Sequence, residues 1–157
     1  IHNEYPRGRQ IKKTIVDCLK PLGCNVDIYD PITTLSIGPK VKHVGRLTHK
    51  ELTSKYNLVI HAGGLGLSQL LYASKVFQIV IPQHAEQRQN ALSLKKLSAG
   101  VMLPPDPVKI YDKLTGVLEE KLNTLYNFNP DTTVGLTHND DRNDYLSSFI
   151  SLMKTLA

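Results

Sequence analysis

Leu58-Val59-Ile60-His61-Ala62-Gly63-Gly64-Leu65-Gly66-Leu67-Ser68-Gln69 passes from a short apolar run into a glycine-rich turn and then into a helical pattern. The run Leu58–Ile60 is too short for a helix and, flanked by a glycine turn, reads as a buried strand. Leu67 to Ala73 reads as the helix that follows. Strand, glycine turn and helix in this order open a βα unit, whose loop lies at the carboxyl end of a strand, where parallel sheets receive ligands. Glycines let the backbone come close to a guest, and the start of the next helix offers free N–H groups and partial positive charge. A phosphate or diphosphate is the natural guest; a tight turn that merely needs small residues is the plainer alternative. No Lys follows Gly66, so this is not a Walker loop, and the glycines do not have the GxGxxG spacing.

Outward from this stretch the chain keeps alternating. Before it, Gln10 to Lys20 has Ile11, Ile15, Val16 and Leu19 at helical spacing and is ended by Pro21-Leu22-Gly23. Val26–Tyr29 and Val41–Val44 read as strands, and Thr48-His49-Lys50-Glu51 has the spacing of a capping box. After it, Gln78–Ile81 is a strand stopped by Pro82, Glu86–Leu97 a helix closed by Ser98-Ala99-Gly100, and Val101–Leu103 a further strand. Apolar strands separated by helices are the pattern of a buried parallel sheet. The expected fold is α/β, a doubly wound Rossmann-like parallel sheet. Beyond Pro107–Leu125, a further helix, Asn127–Asn139 reads as a polar loop and 142–157 as an amphipathic closing helix.

The chain's 157 residues correspond to one domain at about 150 residues per domain. With 41% apolar and 21% charged residues, a disordered or collagen-like chain is excluded. No run approaches the ~18 apolar residues of a membrane-spanning helix. No charged start followed by an apolar stretch is present, so no secretory signal is expected. The formal charge of +5 is spread over Lys pairs, and the absence of Trp with three Phe argues against a base-stacking nucleic-acid platform. Such a balance suits an anionic small molecule or loose attraction to anionic lipid. Cys18 and Cys24, without His or Cys at ligand spacing, read as reduced thiols, and no metal site is expected.

A second polar cluster, Pro82-Gln83-His84-Ala85-Glu86-Gln87-Arg88-Gln89-Asn90-Ala91, also follows a strand and opens a helix. If its strand neighbours Leu58–Ile60, Glu86 and Gln87 stand beside the glycine loop. A carboxylate and an amide at a helix start can hold sugar hydroxyls, which both donate and accept. Taken alone, the cluster is equally a polar first turn with Glu favoured by the helix dipole.

Together, Val59–Gln69 and Ile79-Val80-Ile81-Pro82-Gln83 with Glu86-Gln87 and Asn90-Ala91 resemble the C-terminal, donor-binding half of GT-B glycosyltransferases. The lipid-linked N-acetylglucosaminyltransferases and the UDP-glycosyltransferases are the families with the most similar motif order, over roughly Val41 to Leu103. The resemblance implies a nucleotide-sugar donor, UDP-sugar or dTDP-sugar, used without a metal or other cofactor. It implies that His61, Gly63, Gly64, Leu65, Gly66 and Ser68 hold the donor diphosphate. Gln69 would hold the ribose, where the family usually has Glu, and lacks a carboxylate's charge-assisted strength. Gln83, Glu86 and Gln87 would hold the sugar, and Arg46 and Leu47 would lie against the base. An alternative register puts Ala62 on the family's His and Leu70 on the ribose residue, which asks an apolar side chain to hold a diol. Tyr5–Arg9 departs from the family's glycine-rich first turn.

The family's catalytic base belongs to an N-terminal acceptor domain, so this chain, which begins with Ile1, is expected to be the second domain (1–157) and inactive alone. The closing helix 142–157 would brace that missing domain or a partner subunit. The expected setting is cytoplasmic, peripheral to a membrane. A nucleotide-sugar hydrolase or 2-epimerase half, a donor-binding subunit of a two-subunit membrane-associated transferase, and a plain nucleotide-binding α/β module are the other readings of the same residues.

Overall fold

The structure is a computed structural model that describes residues 1, 6–23, 25–29, 40–126 and 133–137, with the backbone alone for 122–126, 133, 134, 136 and 137. Along the chain run α1 (Gly8–Leu19), a 3-10 turn (Lys20–Leu22), β1 (Asn25–Tyr29), β2 (Val41–His43) and α2 (His49–Lys55). There follow β3 (Leu58–His61), α3 (Leu65–Ala73), β4 (Phe77–Val80), α4 (Ala85–Lys96), β5 (Gly100–Met102), α5 (Pro107–Tyr126) and β6 (Thr133–Thr137). The closing helix expected over 142–157 lies outside the described residues, as does Cys24.

All strands are parallel, in the order β2-β1-β6-β3-β4-β5. The doubly wound order 3-2-1-4-5-6 gives the central place to the first strand of the chain. Here β6 takes that place, between β1 and β3. This corrects the polar-loop expectation for 127–139: Asn and Pro on either side masked Thr133-Val134-Gly135-Leu136-Thr137, whose Thr, Val and Leu suit a strand.

Helices cover both faces, so the inner strands β3 and β4 are buried on both sides. Leu58, Ile60, Phe77, Ile79 and Ile81 join one cluster with Ile11, Ile15 and Leu19 of α1 and Ile110, Leu114 and Leu118 of α5. On the other face Val59 packs with Leu52, Leu67, Leu70 and Leu71 beneath α2 and α3, and Val80 packs with Ala91 and Leu94 of α4. Alternation along a strand divides neighbours between faces in this way. Each such Leu or Ile contributes roughly 1.5–3 kcal/mol when fully buried.

The helix signals have physical counterparts. Thr48 Oγ1 accepts from the Glu51 N–H at 3.3 Å, and Glu51 Oε2 accepts from the Thr48 N–H at 2.7 Å, which completes the capping box of α2. Asp106 Oδ1 accepts from the Lys109 N–H at 3.1 Å with Pro107 at the first position of α5, where a missing N–H goes unnoticed.

Among the described residues three strands carry buried polar groups: Asp27 in β1, His61 in β3 and Gln78 in β4. Asp27 of β1 receives hydrogen bonds from Tyr56 Oη at 2.9 Å and from Lys55 Nζ. To reach Asp27 the Tyr56 ring lies over β6, where a Cβ on Gly135 would meet ring atoms at 3.2 and 3.3 Å. Gly135 pairs with Asp27 on one side and Val59 on the other. A small residue at that point of the central strand fixes its register. Burial and the Asp27 carboxylate push the Tyr56 hydroxyl well above its ordinary range.

Candidate functional site

Neighbouring parallel strands set the site. β3 pairs with β4, His61 opposite Val80, so the loops leaving their carboxyl ends are adjacent and the starts of α3 and α4 stand side by side. The strands are neighbours, the condition under which the sequence placed the α4 start beside the glycine loop, and the Gln87 carbonyl packs against Gly63.

The turn from β3 into α3 is tightly determined. Gly63 has φ +98°, and a Cβ there would lie 2.6 Å from Val80 Cγ1 and 3.1 Å from the Gln87 carbonyl oxygen. Only glycine meets both demands. Gly64 precedes α3 with no side-chain cap, and the first N–H satisfied by the helix ladder is that of Ser68, bonded to Gly64 O at 3.0 Å. The N–H groups at the α3 start are therefore the orphan donors of a helix terminus. Ser68 is 4% exposed and its Oγ has no partner among the described residues; the Oε1 of Gln69 is likewise buried without one among them. A buried acceptor without a donor is expensive unless a guest supplies it.

His61 holds this turn from within. The side chain is fully buried. The Gly63 N–H donates to its Nδ1 at 3.1 Å, which fixes the proton on Nε2, and Nε2 donates to Gln78 Oε1 at 2.9 Å. Gln78 Nε2 then donates to the Ser68 carbonyl at 3.1 Å. One chain of bonds thus links β3, β4, the glycine turn and the first turn of α3. Burial lowers the imidazole pKa to about 4, against a smaller opposing effect of Gln78. Both ring nitrogens are engaged, so His61 has no donor left for a phosphate and serves the site through the loop it holds. Gln78, an amide inside an otherwise apolar strand, went unnoticed in the sequence; its polarity in an apolar run was the available signal.

α4 closes the other side. Asn90 Nδ2 donates to the Gly63 carbonyl at 2.9 Å. Gln87 is 3% exposed and its Oε1 accepts from the Gln83 N–H at 2.8 Å, so its oxygen braces the Pro82–His84 turn and its NH2 group remains for other contacts. Glu86, in the first turn of α4, is exposed. Leu65 is exposed at the α3 start, where it offers its N–H. Arg46 is exposed, and Leu47 packs against the cluster containing Leu67, Leu70 and Leu71, so the β2–α2 loop reaches α3 although β2 is the far edge of the sheet. Among the described residues no group of three or more His, Cys, Asp or Glu could hold a metal ion. Among them, too, no helix is long and apolar enough to cross a membrane.

No protein-family model matches the chain. An uncharacterised glycosyltransferase of Methanopyrus kandleri is 28% identical over 125 residues, covering 73% of this chain and 36% of that protein. The crystal structure of the glycotransferase of kitacinnamycin is similar over 99% of this chain and 38% of its own, with a TM-score of 0.63 and 16% identity. The chain thus spans little more than a third of the length of either. At this level of identity the structural likeness carries the fold. Sequence and structure agree that this is a glycosyltransferase-like α/β domain built on a parallel, Rossmann-like sheet.

Proposed function

We propose that the chain is the nucleotide-sugar-binding half of a GT-B glycosyltransferase that transfers a hexosyl group from a UDP-sugar or dTDP-sugar. The observation that carries this reading is the uncapped start of α3. It opens from a turn that only Gly63 can make, beside the start of α4, in a glycosyltransferase-like fold. The donor diphosphate lies against the N–H groups of Leu65, Gly66 and Leu67, with Ser68 Oγ as a further donor. Positive charge at a helix start stabilises the leaving diphosphate as the glycosidic bond breaks.

In this reading Gln69 Oε1 takes a ribose hydroxyl, which supplies the donor that it lacks among the described residues. Glu86 accepts from sugar hydroxyls, while Gln87 and Gln83 hold the turn that presents it. Arg46 and Leu47 lie against the base. His61, Gln78 and Asn90 are positioning residues. The base that deprotonates the attacking hydroxyl comes from a second domain or subunit, so the chain binds donor without turning it over. Its setting is cytoplasmic, at a membrane surface.

Calorimetric titration with UDP, dTDP, GDP and ADP, with and without EDTA, tests the reading. EDTA-insensitive binding of UDP or dTDP, weakened in Gln69→Ala, is expected. Failure of all four nucleotides to bind would overturn it, and release of free sugar or an epimer without an acceptor would assign the chain to a hydrolase or 2-epimerase instead.

A further inference from the structure

Beside the start of α4, an open recess of about 630 Å³ lies between the Pro82–Ala85 turn, with Gln83 in its wall, α4 and the β5–α5 turn. That volume is within the range of small-molecule sites, roughly 300–1,000 Å³. Met102, Leu103 and Pro104 form apolar wall, and Arg88 of α4 and Lys113 of α5 reach the cavity from different elements, with His84 at its edge. Arg88 and Lys113 form no ion pair with any described residue, and no Asp or Glu lines the cavity. Elsewhere on the surface cations do find carboxylates: Lys13 and Lys20 meet Asp17, and Arg7 meets Asp106.

Two cations without a carboxylate partner among the described residues, facing one recess, repel each other, and an anion between them reverses the sign of that interaction. His84 gives α4 no side-chain cap, so the helix start adds partial positive charge to the same turn. The apolar wall selects for the rest of the ligand. We propose that this recess is an anion site for a phosphate group carried on an apolar body, distinct from the glycine loop; its Pro82–Ala85 wall is the turn that the donor reading uses to present Glu86.

The test is amide NMR of the chain titrated with phenyl phosphate, inorganic phosphate and benzyl alcohol, with and without UDP. Phenyl phosphate is expected to shift His84, Ala85, Met102 and Lys113 whether or not UDP is present, and to bind more tightly than either other probe. The double variant Arg88→Gln/Lys113→Gln is expected to weaken it by about tenfold or more, with UDP shifts at Gly63–Ser68 unchanged. Both side chains are exposed, and an unchanged spectrum away from the cavity verifies the fold. Shifts confined to Gly63–Ser68, undiminished binding by the double variant, or equal binding of benzyl alcohol would overturn the anion site. Inorganic phosphate binding as tightly as phenyl phosphate would overturn the apolar part. Absence of UDP shifts would count against the donor reading alone.

Discussion

Replacing Gly63 by Ala puts a single methyl group at the most constrained point of the loop. At φ +98° an L residue sits outside its favoured regions, a strain worth roughly 1–3 kcal/mol. The new Cβ would also stand 2.6 Å from Val80 Cγ1 and 3.1 Å from the Gln87 carbonyl oxygen. One of these neighbours is backbone of α4, so rotamer change alone does not relieve the clash, and overpacking of this kind costs roughly 1–3 kcal/mol. The sum is about 2–6 kcal/mol, a large part of the ~5–15 kcal/mol that holds a domain together. With a urea slope of about 2 kcal/mol/M, the unfolding midpoint should fall by roughly 1–3 M. Relief by moving the turn would displace the N–H groups at the α3 start, so UDP affinity should fall in parallel. Gly45→Ala, where a Cβ meets nothing within 4 Å, is the control and should leave both unchanged. A Gly63→Ala protein that unfolds at the wild-type urea concentration would refute the reasoning.

Other expectations use the same quantities. Gly116 is in α5 with open space around a new Cβ, so Gly116→Ala should stabilise the chain by about 0.5–1 kcal/mol in urea unfolding. Gly135→Val would drive side-chain atoms into the Tyr56 ring and should destabilise by about 1–3 kcal/mol; an unchanged midpoint would contradict the central place of β6. Burial holds His61 at a pKa of about 4, against an ordinary imidazole value of 6.5. The unfolded chain therefore binds the extra proton first, and stability should fall as pH drops from 6.5 towards 4, by roughly 3 kcal/mol in all. His61→Gln should remove that part of the slope when urea midpoints are compared across pH. Glu86→Ala should weaken a UDP-sugar several-fold in calorimetry while leaving UDP itself unchanged, because the carboxylate is assigned to the sugar.

Local signals with a direct physical cause were legible in the sequence. The capping box of α2, Pro107 at the start of α5 and the glycine turn after β3 each state a backbone requirement in residue type. Adjacency of the two loops was conditional in the sequence on β3 and β4 being neighbours, which their pairing supplies. β6 was not legible because its five residues are flanked by Asn and Pro, and because a central position in a sheet depends on pairing with β1 and β3 across most of the chain. His61 was expected to touch phosphate because the resemblance places it on the family's His. Its partner Gln78 lies 17 residues away, and that long-range amide turns the ring into a fixed internal strut.

The central claim is that the bare N–H groups at the start of α3 hold the donor diphosphate, and a crystal of this chain with UDP measures it directly. The diphosphate oxygens should lie about 3 Å from the N–H groups of Leu65, Gly66 and Leu67, with Ser68 Oγ and Gln69 Oε1 newly bonded. A diphosphate seated elsewhere, with Ser68 and Gln69 unchanged, would contradict it.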